Sequence, residues 1–477
     1  MQLKHWIVTA AVLSAYGAGQ QVRADDTADS IKALQKQIEE LDQKVKTLER
    51  NRELDREASA EAAKSMPVLL AGPTGLGFRS ADTNFVIKLR GVLQTDSRTF
   101  FNDHGIVGND GLLLRRARPS LEGTVYRDFD FLFVPDFAGS SVQIFDAYLN
   151  YRNRPEWQLR IGKFKTPVGL EQLQADRDLT FNERGLATSL VPNRDVGAQL
   201  HGEVFSGGLS YAAGIFNGVG DFRNTTNLDF EDDKEFAGRL FLQPWKTSGI
   251  RPLQGLGLGV GGSYGNEHTA AALPSTTGGT LPGYVTDGQQ QFFAYNPAAV
   301  LGTSPVVVAN GRHWRLAPQA YYYWGPLGLL GEYVLSNQRV SRTVVAPLTT
   351  QNLEHKAWQI TGSWVLTGED ASYTGVTPFH PFDPSTGGWG AWQLVGRYGS
   401  LDIDDKAFPN FANPATSATK ATAWSAGLNW YLNRNVRVSA SFSRTTFAGA
   451  GAASATAPGN VSRQPENVLF TRVQLAF

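Results

Sequence analysis

The chain closes on Val468-Leu469-Phe470-Thr471-Arg472-Val473-Gln474-Leu475-Ala476-Phe477. In an extended strand, Leu469, Thr471, Val473, Leu475 and Phe477 share one face, and Val468, Phe470, Arg472, Gln474 and Ala476 share the other. In water, a terminal strand with an apolar face and open hydrogen-bonding groups would invite aggregation. Pairing it with the first strand of a closed barrel removes that free edge.

The same alternation recurs earlier, near 84–98, 112–125, 129–137, 142–152, 157–164, 196–205, 208–216, 235–243, 256–266, 312–323, 327–335, 355–366, 389–401, 421–432 and 436–446. With the terminal segment this makes sixteen strands, an even number that returns both chain ends to one rim. Connections at Arg127-Asp128, 153–156, Ser206-Gly207, Gly325-Pro326 and 433–435 are tight. Those at 165–195, 217–234, 267–311, 336–354, 402–420 and 447–466 are long. A short connection at 138–141 and a long turn at 367–388 break the rule. Tight turns on one rim and long loops on the other predict an all-β fold: a 16-stranded antiparallel transmembrane β-barrel over 78–477.

The faces are chemically distinct. Phe85, Ile87, Leu89, Gly91 and Leu93 suit lipid, whereas Lys88, Arg90, Gln94, Asp96 and Arg98 suit a wet interior. In the second strand, Arg116, Arg118, Ser120, Glu122 and Thr124 oppose Ala117, Leu121, Gly123 and Val125. Arg160, Arg239, Arg315, Arg397, Arg437 and Arg472 fall on polar faces by the same parity. A charge on the lipid face costs about 2–4 kcal/mol near the midplane, so these residues are expected to point inward. A soluble β-sandwich would need tight turns at both ends, and it would not need the Trp and Tyr residues that cluster at strand ends here, as an aromatic girdle requires.

The start of the chain reads differently. Lys4, an apolar run from Trp6 to Tyr16 and Val22-Arg23-Ala24 form a signal-peptide pattern over 1–24. The apolar run is too short to be a membrane anchor, which needs about 18 or more residues. Ile31, Leu34, Ile38, Leu41, Val45 and Leu48 follow an a/d heptad, so 25–52 is expected to be a short N-terminal α-helical coiled coil. A single amphipathic helix on a barrel or membrane is the alternative. The Ala/Gly/Pro-rich stretch 53–77 reads as a flexible linker. Cysteine is absent, so no disulfide supports the fold.

Several segments together resemble the phosphate-selective porin O/P family of Gram-negative outer membranes. They are Leu114-Arg115-Arg116-Ala117-Arg118 with Gly123, and Phe145-Asp146-Ala147-Tyr148-Leu149 followed by Arg160 to Pro167. Leu366-Thr367-Gly368-Glu369, Gly390 to Tyr398 and Gly427 to Asn433 complete the set, in the family's order. The terminal Phe477 also looks like the assembly signal of outer-membrane barrels. The resemblance implies a homotrimer in the outer membrane, in contact with its lipid, whereas the heptad's β-branched a positions lean towards a dimer. It also implies a constriction built from infolded segments. Residues 166–195, with Arg177, Arg184 and Arg194, and the turn 368–387 are the expected pieces.

From Phe78 onward there are 26 Arg and 8 Lys against 21 Asp and 12 Glu, so bulk charge does not make an anion channel. Arrangement could, because cations in a narrow low-dielectric lumen focus the field. Guanidinium binds phosphate bidentately and stays charged at working pH. The anion-binding residues expected are Arg115, Arg116, Arg118, Lys163 and Lys165, with Arg90, Arg98, Arg160, Arg239, Arg315, Arg397 and Arg437 along the strands. Their alternative role is pairing with inward acids such as Asp96, Glu122, Asp146 and Glu203. Glu171, Asp176, Asp178, Glu183 and Asp195 make the 166–195 loop acidic, which favours a weakly selective porin as the other reading.

An enzyme would need a Ser–His–acid arrangement or a metal cluster. His104, His201, His268, His313, His355 and His380 are scattered singly, so they are expected to be solvated or interfacial. Neither a cofactor nor a metal is expected, and no nucleic acid. The function expected is passive diffusion of phosphate, pyrophosphate or similar small anions. A tether touching peptidoglycan or a periplasmic partner through 31–48 is the third possibility.

Overall fold

A computed structural model describes residues 24–101, 108–218, 227, 229, 232–268, 281–296, 307–342, 349–449 and 463–477. The chain divides after Met66 into a helical unit and a β unit. Most of the signal-peptide stretch and His104 lie outside the described residues.

The helical unit is one helix, α1 (Ala24–Ser65). Its heptad residues Ile31, Leu34, Ile38, Leu41, Val45 and Leu48 are each 47–67% exposed. The predicted linker over 53–77 is not irregular. Glu, Arg and Ala carry the helix through to Ser65, as their propensities allow. A hairpin follows, Val68–Gly72 against Gly75–Arg79.

Sixteen strands form the barrel. They are β1 (Val86–Phe101), β2 (Gly111–Val125), β3 (Phe129–Asp136), β4 (Gln143–Arg154), β5 (Trp157–Lys165), β6 (Arg194–Val204), β7 (Leu209–Phe216) and β8 (Glu235–Leu242). The second half comprises β9 (Leu256–His268), β10 (Val307–Trp324), β11 (Leu327–Arg342), β12 (Thr349–Val365), β13 (Ala391–Asp402), β14 (Lys420–Tyr431), β15 (Val436–Ala448) and β16 (Glu466–Ala476). Each strand pairs antiparallel with the next, and β16 pairs with β1 from Asn467↔Phe101 to Ala476↔Val92. Phe477 finishes the seam, exchanging two backbone hydrogen bonds of 3.0 Å with Gly91. Beyond that point β1 would present an open edge. The hairpin covers it, pairing Leu76–Arg79 with Val86–Leu89.

Inward and outward faces follow the predicted parity. Along β16, Phe470, Arg472 and Gln474 are buried while Thr471, Val473 and Leu475 are exposed. Rings gather at the strand ends. Trp392 stacks on Trp430 at 5.0 Å on the rim that carries the chain ends, and Trp358 meets Tyr398 at 5.4 Å towards the other. Two tight turns have positive φ at consecutive non-glycine residues, Tyr126-Arg127 and Phe205-Ser206, the twist that suits two-residue hairpins.

One irregularity shapes the interior. Gln94 faces Arg116 and Thr95 faces Leu114, so Arg115 is an extra residue in β2. This bulge turns consecutive arginines to the same side. Arg115, Arg116 and Arg118 are all buried inside the barrel.

Candidate functional site: the constricted lumen

The connection from β5 to β6 folds into the barrel, as the family resemblance implied. Val168, Leu186, Ala187, Leu190 and Val191 pack with Val334, Ala357 and Leu401 of β11–β13. Burying each large side chain is worth about 1.5–3 kcal/mol, so the loop holds to that wall. Polar contacts fix its depth. Glu332 accepts the Leu170 N–H at 2.8 Å, and Gln359 bridges Glu332 and Glu171 at 2.7 Å each. The turn predicted to infold reaches the loop from the opposite rim. Tyr373 donates to the Leu170 carbonyl at 2.6 Å and stacks on Tyr321. Phe379 and Trp389, later in that turn, stay exposed.

The loop's acids meet the arginines of the facing wall. Arg115 grips Glu183 with two bonds of 2.6 and 2.8 Å. Arg116 donates to Gln94 at 2.6 Å and lies 3.6 Å from both Asp176 and Glu183. Arg118 binds Asp136 at 2.8 Å and also pairs with Asp176, which Arg184 holds at 2.6 Å. Arg472, absent from the predicted set, joins Asp96 on β1 at 2.6 and 2.8 Å to Glu183 at 2.8 Å. Arg98 sits 3.9 Å from Asp96. Together these are six guanidinium groups against four carboxylates.

Burial by itself would raise the carboxyls of Asp176 and Glu183. The guanidinium groups of Arg116, Arg184 and Arg118 around Asp176, and of Arg115, Arg116 and Arg472 around Glu183, outweigh it and hold both well below the ordinary carboxylate range.

The remaining predicted residues divide. Arg397 bridges Glu171 at 3.1 Å and Asp287 at 2.8 Å, Arg194 binds Asp146 at 3.0 Å, Arg90 lies 3.2 Å from Glu122, and Arg315 pairs with Glu235. Arg437 donates to the Leu179 carbonyl, Lys165 to the Gln174 carbonyl at 2.7 Å, and Lys163 to Asn227 at 2.8 Å. Arg177, in the loop, is 3.5 Å from Asp178. Arg160 and Arg239 are different. Arg160 lies over the Tyr148 ring at 4.5 Å, and Arg239 over Phe241 at 4.4 Å with its Nε on Gln319. Among the described residues neither has an ion-pair partner.

Two cavities lie in series. One, of about 810 Å³, opens towards the rim of the chain ends and is lined by Arg90, Arg160, Lys165, Arg177, Arg239 and Tyr211 among others. The second, of about 380 Å³, lies on the far side of the loop beneath Arg115, Arg116 and Arg184. Arg118, Arg194 and Asp176 line both, so the partition between them is charged. An extracellular hairpin, Tyr284–Val285 against Gln291–Phe293, borders the second cavity. No local pattern marks it, because 267–311 reads only as a long loop.

Removing one partner of a buried ion pair typically costs about 3–5 kcal/mol. Glu183→Gln is therefore expected to loosen the loop, seen as a larger and noisier single-channel conductance in a barrel that still folds. The depressed carboxyls set the pH window. Their stabilisation is complete above an unfolded pKa of about 4 and is lost only as pH falls below it, so the hold of Asp176 and Glu183 on the arginine wall should not weaken between pH 7 and about 4.5.

Comparison with known proteins agrees with this geometry. Residues 87–477 match the family described as phosphate-selective porin O and P. The chain is 25% identical over 382 residues to Porin O of Pseudomonas aeruginosa, covering 77% of this chain and 84% of that protein. Among solved structures it is similar in fold to the outer-membrane channel DcaP of Acinetobacter baumannii, with a TM-score of 0.51 and 12% identity over 84% of this chain and 99% of that one. It is also similar to OmpT of Vibrio cholerae, with a TM-score of 0.48 and 12% identity over 83% of this chain and 98% of that one. The chain belongs to the phosphate-selective porin O and P family of Gram-negative outer-membrane β-barrel channels, and it is a porin, not an enzyme.

Proposed function

We propose that this porin passes small oxyanions, phosphate or pyrophosphate among them, by passive diffusion along an arginine-lined lumen. The carrying observation is the charge balance at the partition, where six guanidinium groups gather against four carboxylates. An excess of two positive charges in a narrow, low-dielectric passage attracts anions far more than the near-neutral chain does.

The arginines take two roles in this reading. Those clamped to loop acids, Arg115, Arg116, Arg118 and Arg472, hold the constriction and supply its excess charge. Arg160 and Arg239, without acidic partners among the described residues, give a permeating anion its direct contacts in the larger cavity. The extensive pairing of the clamped set also favours a second reading, a weakly selective general porin. Membership in a family whose relative is named Porin O, together with the charge excess, supports the selective one.

The test is the reversal potential of purified channels in a planar bilayer under a potassium chloride gradient. Arg160→Ala with Arg239→Ala should lower the anion-over-cation permeability ratio about 3–10-fold while leaving heat-modifiable migration intact. An unchanged potential would remove both residues from the permeation path.

In the same reading, α1 is a coiled coil that joins barrels into an oligomer, a trimer by family resemblance, through its exposed a and d residues. A purified 24–66 peptide should sediment as an oligomer at micromolar concentration, and a monomer would contradict this.

A further inference from the structure

The far end of the hairpin at the extracellular cavity is bonded to the segment after β13, and both meet one imidazole. His355 on β12, predicted to be solvated or interfacial, is only 1% exposed. Its Nε2 lies 2.7 Å from Tyr295 Oη, just beyond the hairpin, and the Asp404 backbone N–H donates to its Nδ1 at 3.1 Å. The segment after β13 is drawn in by the same contacts, since Tyr295 bridges Ala412 and the Ala418 N–H donates to the Phe292 carbonyl.

The protonation state follows from these partners. A backbone N–H can only donate, so Nδ1 must present its lone pair and the single proton of a neutral ring sits on Nε2, donated to Tyr295. A second proton would bring two N–H groups head to head at Nδ1. The titratable groups facing the ring are Tyr284 and Tyr295 from the hairpin side, Asp404 after β13, and His313 on β10 with Glu267 of β9 beside it. The Asp404 carboxylate is occupied by the Glu354 and Lys406 N–H groups, and among the described residues no carboxylate hydrogen-bonds His355. His313 has Glu267 at 3.4 Å, so a proton there would tighten its contact.

We propose that His355 is an acid-sensitive latch: a second proton, on Nδ1, breaks the contact with the Asp404 N–H, and the segment after β13 loosens together with the hairpin bonded to it, which lifts from the extracellular cavity. The closed form needs the neutral ring. It is therefore favoured above the ordinary imidazole pKa of about 6.5 and weakens as pH falls. The ion pairs of Asp176 and Glu183 that clamp the constriction loop hold over the same range. The inference rests on the barrel conducting ions.

The experiment is bilayer conductance of the full-length protein as the extracellular side is taken from pH 7 to 4.5. Wild type should gain at least about two-fold. His355→Gln can offer an acceptor to Asp404 and a donor to Tyr295 without titrating, so its conductance should match wild type at pH 7 and stay flat. A flat or falling wild-type response, or a rise in His355→Gln, would each overturn the latch. A barrel that carries no current at any pH would overturn the channel reading instead.

Discussion

One guanidinium ties the barrel's closing seam to its constriction. Arg472 projects from the last strand, takes both oxygens of Asp96 on the first strand, and reaches Glu183 and the Asn182 carbonyl on the infolded loop. Its side chain is wholly buried, a setting in which an arginine is tolerated only when its donors are satisfied. Closure of the sheet and placement of the loop are thereby set by the same group. The planar fork makes this possible, because two parallel bonds to Asp96 fix its direction and leave a further donor for the loop.

From that seam, charge spreads asymmetrically. The loop lies against the tall wall of β11–β13 through leucine, valine and alanine contacts, and it turns its acids towards the arginines of β1, β2 and β16. Open volume is left beside β2–β8, where Arg160 and Arg239 stand over aromatic rings. The acidity of the loop, which on sequence grounds argues against anion preference, is spent on clamping it. The guanidinium groups still outnumber the carboxylates in the cluster at the partition.

Much of this was legible in the sequence. Each of the sixteen barrel strands overlaps a segment that alternation placed, because the bilayer forces period-two patterning on what crosses it, although β11 and β12 continue through most of the expected 336–354 loop. The inward aim of the arginines followed from parity, and the loop's infolding from the family resemblance. Parity could not separate clamped from unclamped arginines, since that depends on partners far away in sequence, such as Arg115 with Glu183 and Arg397 with Asp287. Arg472 lay on the correct face but carried no local mark of its role. The linker reading of 53–77 failed because helix-forming residues continue past the heptad, and because the hairpin beyond it is stabilised by an edge of β1 that the local sequence does not display. The extracellular hairpin and the burial of His355 arise from tertiary packing of a long loop, for which no short-range pattern exists.

The central claim is a lumen that prefers oxyanions because its cations exceed its acids at the partition between its two cavities. Chloride current through single channels of the full-length protein, with phosphate titrated into both chambers, tests it most directly. The account predicts anion-selective current that low millimolar phosphate blocks saturably, by occupying the arginine-lined path. Ohmic current that favours potassium and ignores phosphate would contradict it.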